Sequence, residues 1–312
     1  MFQMKIFESH NIKLENKNTL IALGNFDGVH SGHCHMLNEA KKYAVENGLE
    51  FGVYTFIDSP KFRHAEHSLL TDLQGRLSCL DDRVHPDFVY LEKFDDVKDL
   101  KPYEFADYII SKFNASVCFC GENFSFGKMA SGNAQTLVSL MNDRGAGAIV
   151  VPTLKDGGMP ISSSGIRSLL EDGNVEKACE LLGAPFGFVS KVIHGAHLGH
   201  SLGFPTINQI IPKPLAVPKY GVYSTVVTVD GREYMGVTNF GVKPTVSCDN
   251  TPVAETYIID FDGDIYDKYV GLYFCKRLRG EKKFSSLDEL KKNITLNVEQ
   301  TKEFFEEKNE KA

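Results

Sequence analysis

The sequence predicts two domains of different class. The first is an α/β domain with a parallel sheet, and the second an antiparallel barrel or sandwich that ends in a helix. Three observations predict this. Short apolar runs alternate with helical periodicity as far as Gly183. Beyond Gly183 the strands become short and the turns frequent. The chain then closes on one long amphipathic stripe. Helices set between short apolar strands imply parallel crossovers with helices on both faces. Closely spaced short strands with turns imply an antiparallel sheet closing on itself. A length of 312 residues suits two modest cores.

Each element follows in order. Thr19–Leu23 is a short apolar run before Gly24 and reads as a buried strand. Residues 34–46 place Leu37, Ala40, Ala44 and Val45 at helical spacing, with Gly48 as the stop. Phe51–Phe56 is the next strand. Helices are expected near 72–80 and 102–113, and strands at 115–120 and 146–151. Ser162–Leu170 and Val175–Leu182 read as short helices, with Gly173 and Gly183 where C-terminal glycines belong. Strands are then expected at 187–193, 221–229, 232–240, 254–261 and 268–276. A helix starts at Ser286, with Glu289 completing a capping box. Its stripe of Leu287, Leu290, Ile294, Val298 and Phe305 should pack on the barrel. The boundary is expected near 183–187, giving domains 1–184 and 185–312.

Composition narrows the class of function. Apolar residues make up 42% and charged residues 24%, an ordinary globular balance. The net charge of −7 argues against a broad nucleic-acid surface. Any phosphate must therefore be met locally by backbone N–H groups, a few basic side chains and Mg²⁺. Met1–Asn18 has no apolar core of the kind a secretory signal needs. No run approaches the roughly 18 apolar residues of a spanning helix. The seven cysteines contain no CxxC pair, and Cys118 and Cys120 fall in an apolar strand. This pattern fits a reducing cytoplasm, so Asn-x-Ser/Thr at Asn114, Asn123 and Asn293 carries no glycosylation.

The first candidate site is Gly24-Asn25-Phe26-Asp27-Gly28-Val29-His30-Ser31-Gly32-His33, between a strand and a helix. Gly24, Gly28 and Gly32 let backbone come close to a ligand. The helix N-terminus favours an anion, and His30 and His33 can face one phosphate cluster. The pattern is neither Walker A nor GxGxxG. A lone HxGH would read as a glycine turn with two surface histidines. Here the ten residues resemble the signature of the HxGH nucleotidyltransferases, in particular the prokaryotic FAD synthetases. Gly121-Glu122-Asn123-Phe124-Ser125-Phe126-Gly127 and Ile161-Ser162-Ser163-Ser164-Gly165-Ile166-Arg167 resemble two further motifs of that family. Alone, the serines would read as a helix cap and Phe126 as a core aromatic. The resemblance implies that Ser163, Ser164 and Arg167 meet phosphate, that Asn123 serves the reaction and that Phe126 stacks on flavin. Phe26 and Asp27 complete the loop around the nucleotide. Phe56-Ile57-Asp58-Ser59-Pro60 departs from the family's Phe-x-Pro-His-Pro.

The second candidate site is Gly199-His200-Ser201-Leu202-Gly203-Phe204-Pro205-Thr206-Ile207-Asn208. Thr206 and Asn208 are hard oxygen donors two apart on an extended segment, hence on one face, which suits Mg²⁺. Pro-Thr-x-Asn alone would be turn chemistry. The segment resembles the flavokinase motif, and Asn239–Thr245, Glu255–Phe261 and Arg279-x-Glu281-x-x-Phe284 continue the likeness in order. A lone strand glutamate would be solvated, but the resemblance makes Glu255 the base for the riboflavin 5′-hydroxyl. It gives Gly199 and Arg279 to the ligand site. His200 stands where arginine is usual and Asn297 where aspartate is usual.

The resemblance covers residues 19–305. It implies a Rossmann-like nucleotidyltransferase domain followed by a six-stranded flavokinase β-barrel with a terminal helix. The implied activity is ATP-dependent phosphorylation of riboflavin to FMN, then adenylylation of FMN to FAD with release of pyrophosphate. Mg²⁺ is the implied cofactor and ATP the co-substrate. A cytoplasmic monomer or weak homo-oligomer is expected, with small-molecule substrates and neither nucleic acid nor membrane as partner. Three alternatives stand beside it: one degenerate domain, a different HxGH transferase, and a non-catalytic flavin sensor.

Overall fold

The computed structural model describes residues 2–8, 17–58, 68–195, 203–242 and 251–310. The chain divides into two compact units, Met1–Ser163 and Ser164–Ala312.

The first unit is built on six strands: β1 (Lys5–Glu8), β2 (Thr19–Leu23), β3 (Glu50–Asp58), β4 (Phe88–Lys93), β5 (Ala115–Gly121) and β6 (Gly147–Val151). They lie in the order β1-β4-β3-β2-β5-β6, and every pair is parallel. The longer helices are α1 (Ser31–Glu46), α2 (Leu73–Arg83), α3 (Pro102–Phe113) and α4 (Ala134–Asn142). The two faces of the sheet carry separate cores. One gathers Leu20, Ala22, Phe51 and Val53 with Leu37, Ala40, Leu77 and Leu80. The other gathers Ile21, Leu23, Tyr54 and Tyr90 with Phe105, Ile109, Leu137 and Met141. Neighbouring residues of β2 thus serve opposite faces, and all five are buried. Strand order reverses at β2, so the loop leaving its C-terminal end stands at the position where such sheets bind ligands.

Two strands were not anticipated. β1 has only four residues and a mixed exposure pattern, so it carries no clear period. β4 is buried through its first five residues, a short run that only its pairing between β1 and β3 identifies. The helix expected at 72–80 runs Leu73–Arg83, because Asp72 Oδ1 accepts from Gly75 N at 2.7 Å and caps it.

The second unit opens with α5 (Ser163–Asp172, its first residue belonging to the first unit) and α6 (Val175–Leu182). A closed antiparallel barrel follows: β7 (Phe186–Ile193), β8 (Thr206–Ile210), β9 (Gly221–Val229), β10 (Arg232–Val242), β11 (Pro252–Ile258) and β12 (Tyr269–Arg279). The strand order is β7-β8-β11-β10-β9-β12, and β12 pairs back to β7. β8 supplies the sixth strand. The strand expected at 254–261 ends at Ile258, where Ile259 N turns to Met235 O and Asp260 takes a φ of 55°. α6 packs on the barrel, with Cys179 Sγ 3.3 Å from Phe274 O. The compact unit therefore begins earlier than residue 185.

The last helix, α7 (Leu287–Glu310), packs differently from the expected stripe. Leu287 is 67% exposed, while Asn297 and Thr301 are buried. Thr301 Oγ1 shares a 2.8 Å hydrogen bond with Ser224 Oγ, and Val298 joins Val222, Val237 and Ile259. The seam against the barrel is thus half polar. At the helix start, Ser286 Oγ accepts from Glu289 N at 3.2 Å, but Glu289 reaches back to Ser285 N rather than to Ser286 N.

Candidate active sites

The loop after β2 is held in an uncommon backbone shape. Phe26, Gly28 and Val29 take φ of 49°, 79° and 38°. Gly28 meets this without strain, while the two side-chain-bearing residues must be held by their surroundings. Phe26 is 1% exposed, and its ring fills the place where a Cβ on Gly24 would sit, 2.7 Å away. A Cβ on Gly32 would lie 3.2 Å from the His30 ring. These two glycines make room for the chain's own rings.

His30 caps α1, its Nδ1 accepting from His33 N at 3.3 Å. That bond leaves the proton of a neutral His30 ring on Nε2. The two imidazoles stack with centroids 3.6 Å apart at 17°, and Phe26 meets His33 edge-on at 5.4 Å. Burial, then the neighbouring His30, holds the His33 pKa well below its usual value, so His33 is neutral at pH 7. The sequence-predicted pair is therefore together at the start of α1. Ser163 also reaches this loop, donating from Oγ to Asp27 O at 3.1 Å. Ser164 is exposed and Arg167 half-buried on α5, in the second unit.

Two of these residues pack against the chain's own groups. Asp27 is 5% exposed, and its Oδ1 accepts from Leu70 N at 2.9 Å, which secures the loop. Phe126 is 7% exposed, stacked on Phe124 at 5.5 Å and tilted on Phe105 at 5.3 Å. It packs as a core aromatic because Gly132 and the helix α3 close around it. Asn123 is exposed in the turn before it.

Sequence reasoning missed Arg76. It is 4% exposed and donates to Asn25 O at 2.8 Å, Phe56 O at 2.7 Å and Thr55 Oγ1 at 3.3 Å. The signal was an arginine four residues before Leu80 on the apolar face of a helix. Of the departing segment, Asp58 accepts from Phe94 N at 3.1 Å, while Ser59 and Pro60 lie outside the described residues.

In the barrel, register builds the second cluster. Glu255 on β11 stands opposite Asn208 on β8 and opposite Asn239 on β10. Thr206 Oγ1 donates to Glu255 Oε1 at 3.0 Å. Glu255 is half-buried and its neighbour Thr256 fully buried, as alternation across a strand requires. Asn208 is 5% exposed, and a Cβ on Gly195 would lie 2.2 Å from its Nδ2, so a side chain there would have to displace the Asn208 amide. Thr206, Asn208 and Glu255 together form an all-oxygen donor set of the kind Mg²⁺ takes. Arg279 Nε donates to Asn297 Oδ1 at 3.2 Å, and its guanidinium lies over Phe284 at 5.5 Å. Desolvation lowers the Arg279 pKa, and the neutral Asn297 amide adds no charge to offset it. Gly199 and His200 lie outside the described residues. All six described cysteines are free, and burial raises the thiols of Cys118 and Cys120, the latter to about 12. No helix among the described residues is long and apolar enough to cross a membrane.

Comparison with known proteins agrees in both halves. The FAD synthetase family model matches residues 12–165, and the riboflavin kinase model matches residues 182–305. The chain is 34% identical to the bifunctional riboflavin kinase/FMN adenylyltransferase of Bacillus subtilis, across 95% of each chain. It is 32% identical to that of Pseudomonas fluorescens, across 93% of this chain and 94% of the relative. For Escherichia coli K12 the identity is 31%, across 95% and 96%. A crystal structure from Streptococcus pneumoniae, described as a macrolide-efflux protein, superposes with a TM-score of 0.87 at 30% identity. That match covers 96% of this chain and 99% of the other.

Proposed function

The chain belongs to the family of bifunctional riboflavin kinase/FMN adenylyltransferases, and from that premise we propose which residues carry each reaction. It is a transferase that phosphorylates riboflavin to FMN and then adenylylates FMN to FAD, using ATP in both steps.

Glu255 takes the proton of the ribityl 5′-hydroxyl. That oxygen attacks the γ-phosphorus of ATP as the bond to ADP breaks. Thr206 and Asn208 would hold Mg²⁺, which supplies neutralising charge on the ATP phosphates. The Thr206 hydroxyl bonded to Glu255 fixes the carboxylate beside them. Gly199 and Arg279 are assigned to the ligands of this barrel.

In the first unit an FMN phosphate oxygen attacks the α-phosphorus of ATP and pyrophosphate leaves. His30 and His33 donate N–H groups to the phosphates as charge spreads over them. With His33 neutral, the stacked pair carries no mutual charge repulsion before the nucleotide arrives. Gly24, Phe26 and Gly28 shape the loop, and Asp27 and Ser163 secure it. Asn123, Ser164 and Arg167 are assigned to the same reaction by their motifs. Positioning and electrostatics carry both steps, since phosphoryl transfer needs little covalent help. The reading includes a cytoplasmic monomer or weak homo-oligomer that needs neither nucleic acid nor membrane.

One observation carries the assignment: the Thr206–Glu255 hydrogen bond, with Asn208 and Asn239 directly opposite the carboxylate. The test is product analysis after incubation with ATP and Mg²⁺, once from riboflavin and once from FMN. FAD from both starts is expected. FAD from FMN alone would mean a degenerate kinase, and FMN without FAD a degenerate transferase. Flavin binding without any product would leave a sensor.

A further inference from the structure

We propose that α2 is a two-point clamp on the phosphate-facing loop, and that its Arg76 and Arg83 are positioning residues for adenylyl transfer. The inference rests on the assignment of that reaction to the His30–His33 loop.

An arginine that is 4% exposed is costly unless its donors are met. Arg76 meets those of Nη1 and Nη2 with the chain, while its Nε is buried without a hydrogen-bond partner. Nη1 donates to Asn25 O at 2.8 Å and Nη2 to Phe56 O at 2.7 Å. Thr55 Oγ1 donates to the same Asn25 carbonyl at 3.0 Å, so two donors converge on it. Burial lowers the Arg76 pKa, and the carboxylates of Asp27 and Asp72 act against that. Arg83 lies two turns further along the same face of α2. Its Nη1 donates to Val29 O at 3.0 Å.

The two carbonyls bracket the strained part of the loop. Between Asn25 and Val29 lie Phe26, Asp27 and Gly28, and Phe26, Gly28 and Val29 all have positive φ. Such conformations persist only where the surroundings over-determine them. His30 follows Val29 directly and caps the helix that carries His33. Fixing the Asn25 and Val29 carbonyls therefore fixes where the imidazole pair begins. A single charged residue on Asn25 O also ties the end of β2 to the end of β3, through Phe56 O. Neither arginine needs to touch substrate for this.

The test uses the full chain with Arg76→Met, Arg76→Lys and Arg83→Met, assayed for FAD formation from FMN and for FMN formation from riboflavin. Misplacement of reacting groups by about 1 Å can lower a rate on the order of 10²-fold. A loss of that order in kcat for FAD formation is expected for Arg76→Met, with a smaller loss for Arg76→Lys and Arg83→Met. KM for FMN and ATP should stay near the parent value, and riboflavin phosphorylation should be unchanged in the same preparations. Parent-like adenylylation in both methionine variants would overturn the clamp. So would a loss that appears in KM rather than kcat, with no recovery in Arg76→Lys, since that marks a packing role. If Arg76→Met fails to fold, Arg83→Met, half-buried at its site, decides the question by the same readings. His33→Ala separates the two layers of argument. FAD formation surviving in His33→Ala overturns the loop assignment, whereas its loss beside active arginine variants overturns the clamp alone.

Discussion

Glu255 and His33 show how a single side chain acquires its chemistry from neighbours. Glu255 accepts from Thr206 and stands in register between Asn208 and Asn239, so its carboxylate is held by a strand neighbour two residues from Asn208. Glu255→Gln keeps the shape and removes the base. FMN formation from riboflavin should fall by roughly 10²–10⁴-fold, while FAD formation from FMN is unchanged, as chromatography of the products will show. His33 is a base whose folded pKa lies well below its usual 6.5. The unfolded chain therefore binds this proton at a higher pH than the folded chain does. The contribution to stability is full above about 6.5 and is lost as pH falls below it. Urea midpoints of the parent and of His33→Gln at pH 8 and pH 5.5 check the sign: the variant should lose less stability on acidification. Both motifs were legible at this scale, because residue types at fixed spacing are a local signal. Asp27 and Phe126 were not, because their sequence neighbours do not reveal Leu70 N or the Phe105 ring.

At the scale of elements, polar seams decide more than apolar stripes suggest. α7 meets the barrel through Thr301 and Asn297 as well as Val298. Its first turn leaves Leu287 in solvent. Leu287→Ser should therefore leave the unfolding temperature nearly unchanged, whereas Thr301→Val should lower it by stranding the buried Ser224 hydroxyl. A second polar seam crosses three neighbouring strands. Thr238 Oγ1 bonds Thr225 Oγ1 at 2.9 Å and Thr256 Oγ1 at 2.8 Å, all three residues being fully buried. Thr238→Val leaves two hydroxyls short of a partner, a cost of about 1–3 kcal/mol by urea denaturation. Periodicity predicted the helices and most strands because it reports which face is apolar. It misplaced the α7 seam because a buried hydroxyl with a partner looks, in sequence, like a surface residue.

At the scale of the molecule, an FAD synthetase domain and a riboflavin kinase domain follow one another along one chain. His33→Ala should abolish FAD formation and spare FMN formation, and Glu255→Ala should do the reverse. An equimolar mixture of the two variants should then make FAD from riboflavin, because FMN can diffuse from one chain to the other. Failure of the mixture, with each half-reaction intact, would show that FMN does not pass through solution. The sequence alone determined the two-domain order and the class of each domain through local period and spacing, and it pointed to the family through the resemblance of its two motif sets to known ones. The tertiary structure decided the rest. β1 and β4 became strands through their pairing, and Asp27 and Phe126 turned inward. Arg76 reached a carbonyl 51 residues away. A buried polar group is stable only where a distant segment supplies its partner, and which segments meet is a property of the fold and not of any window of sequence.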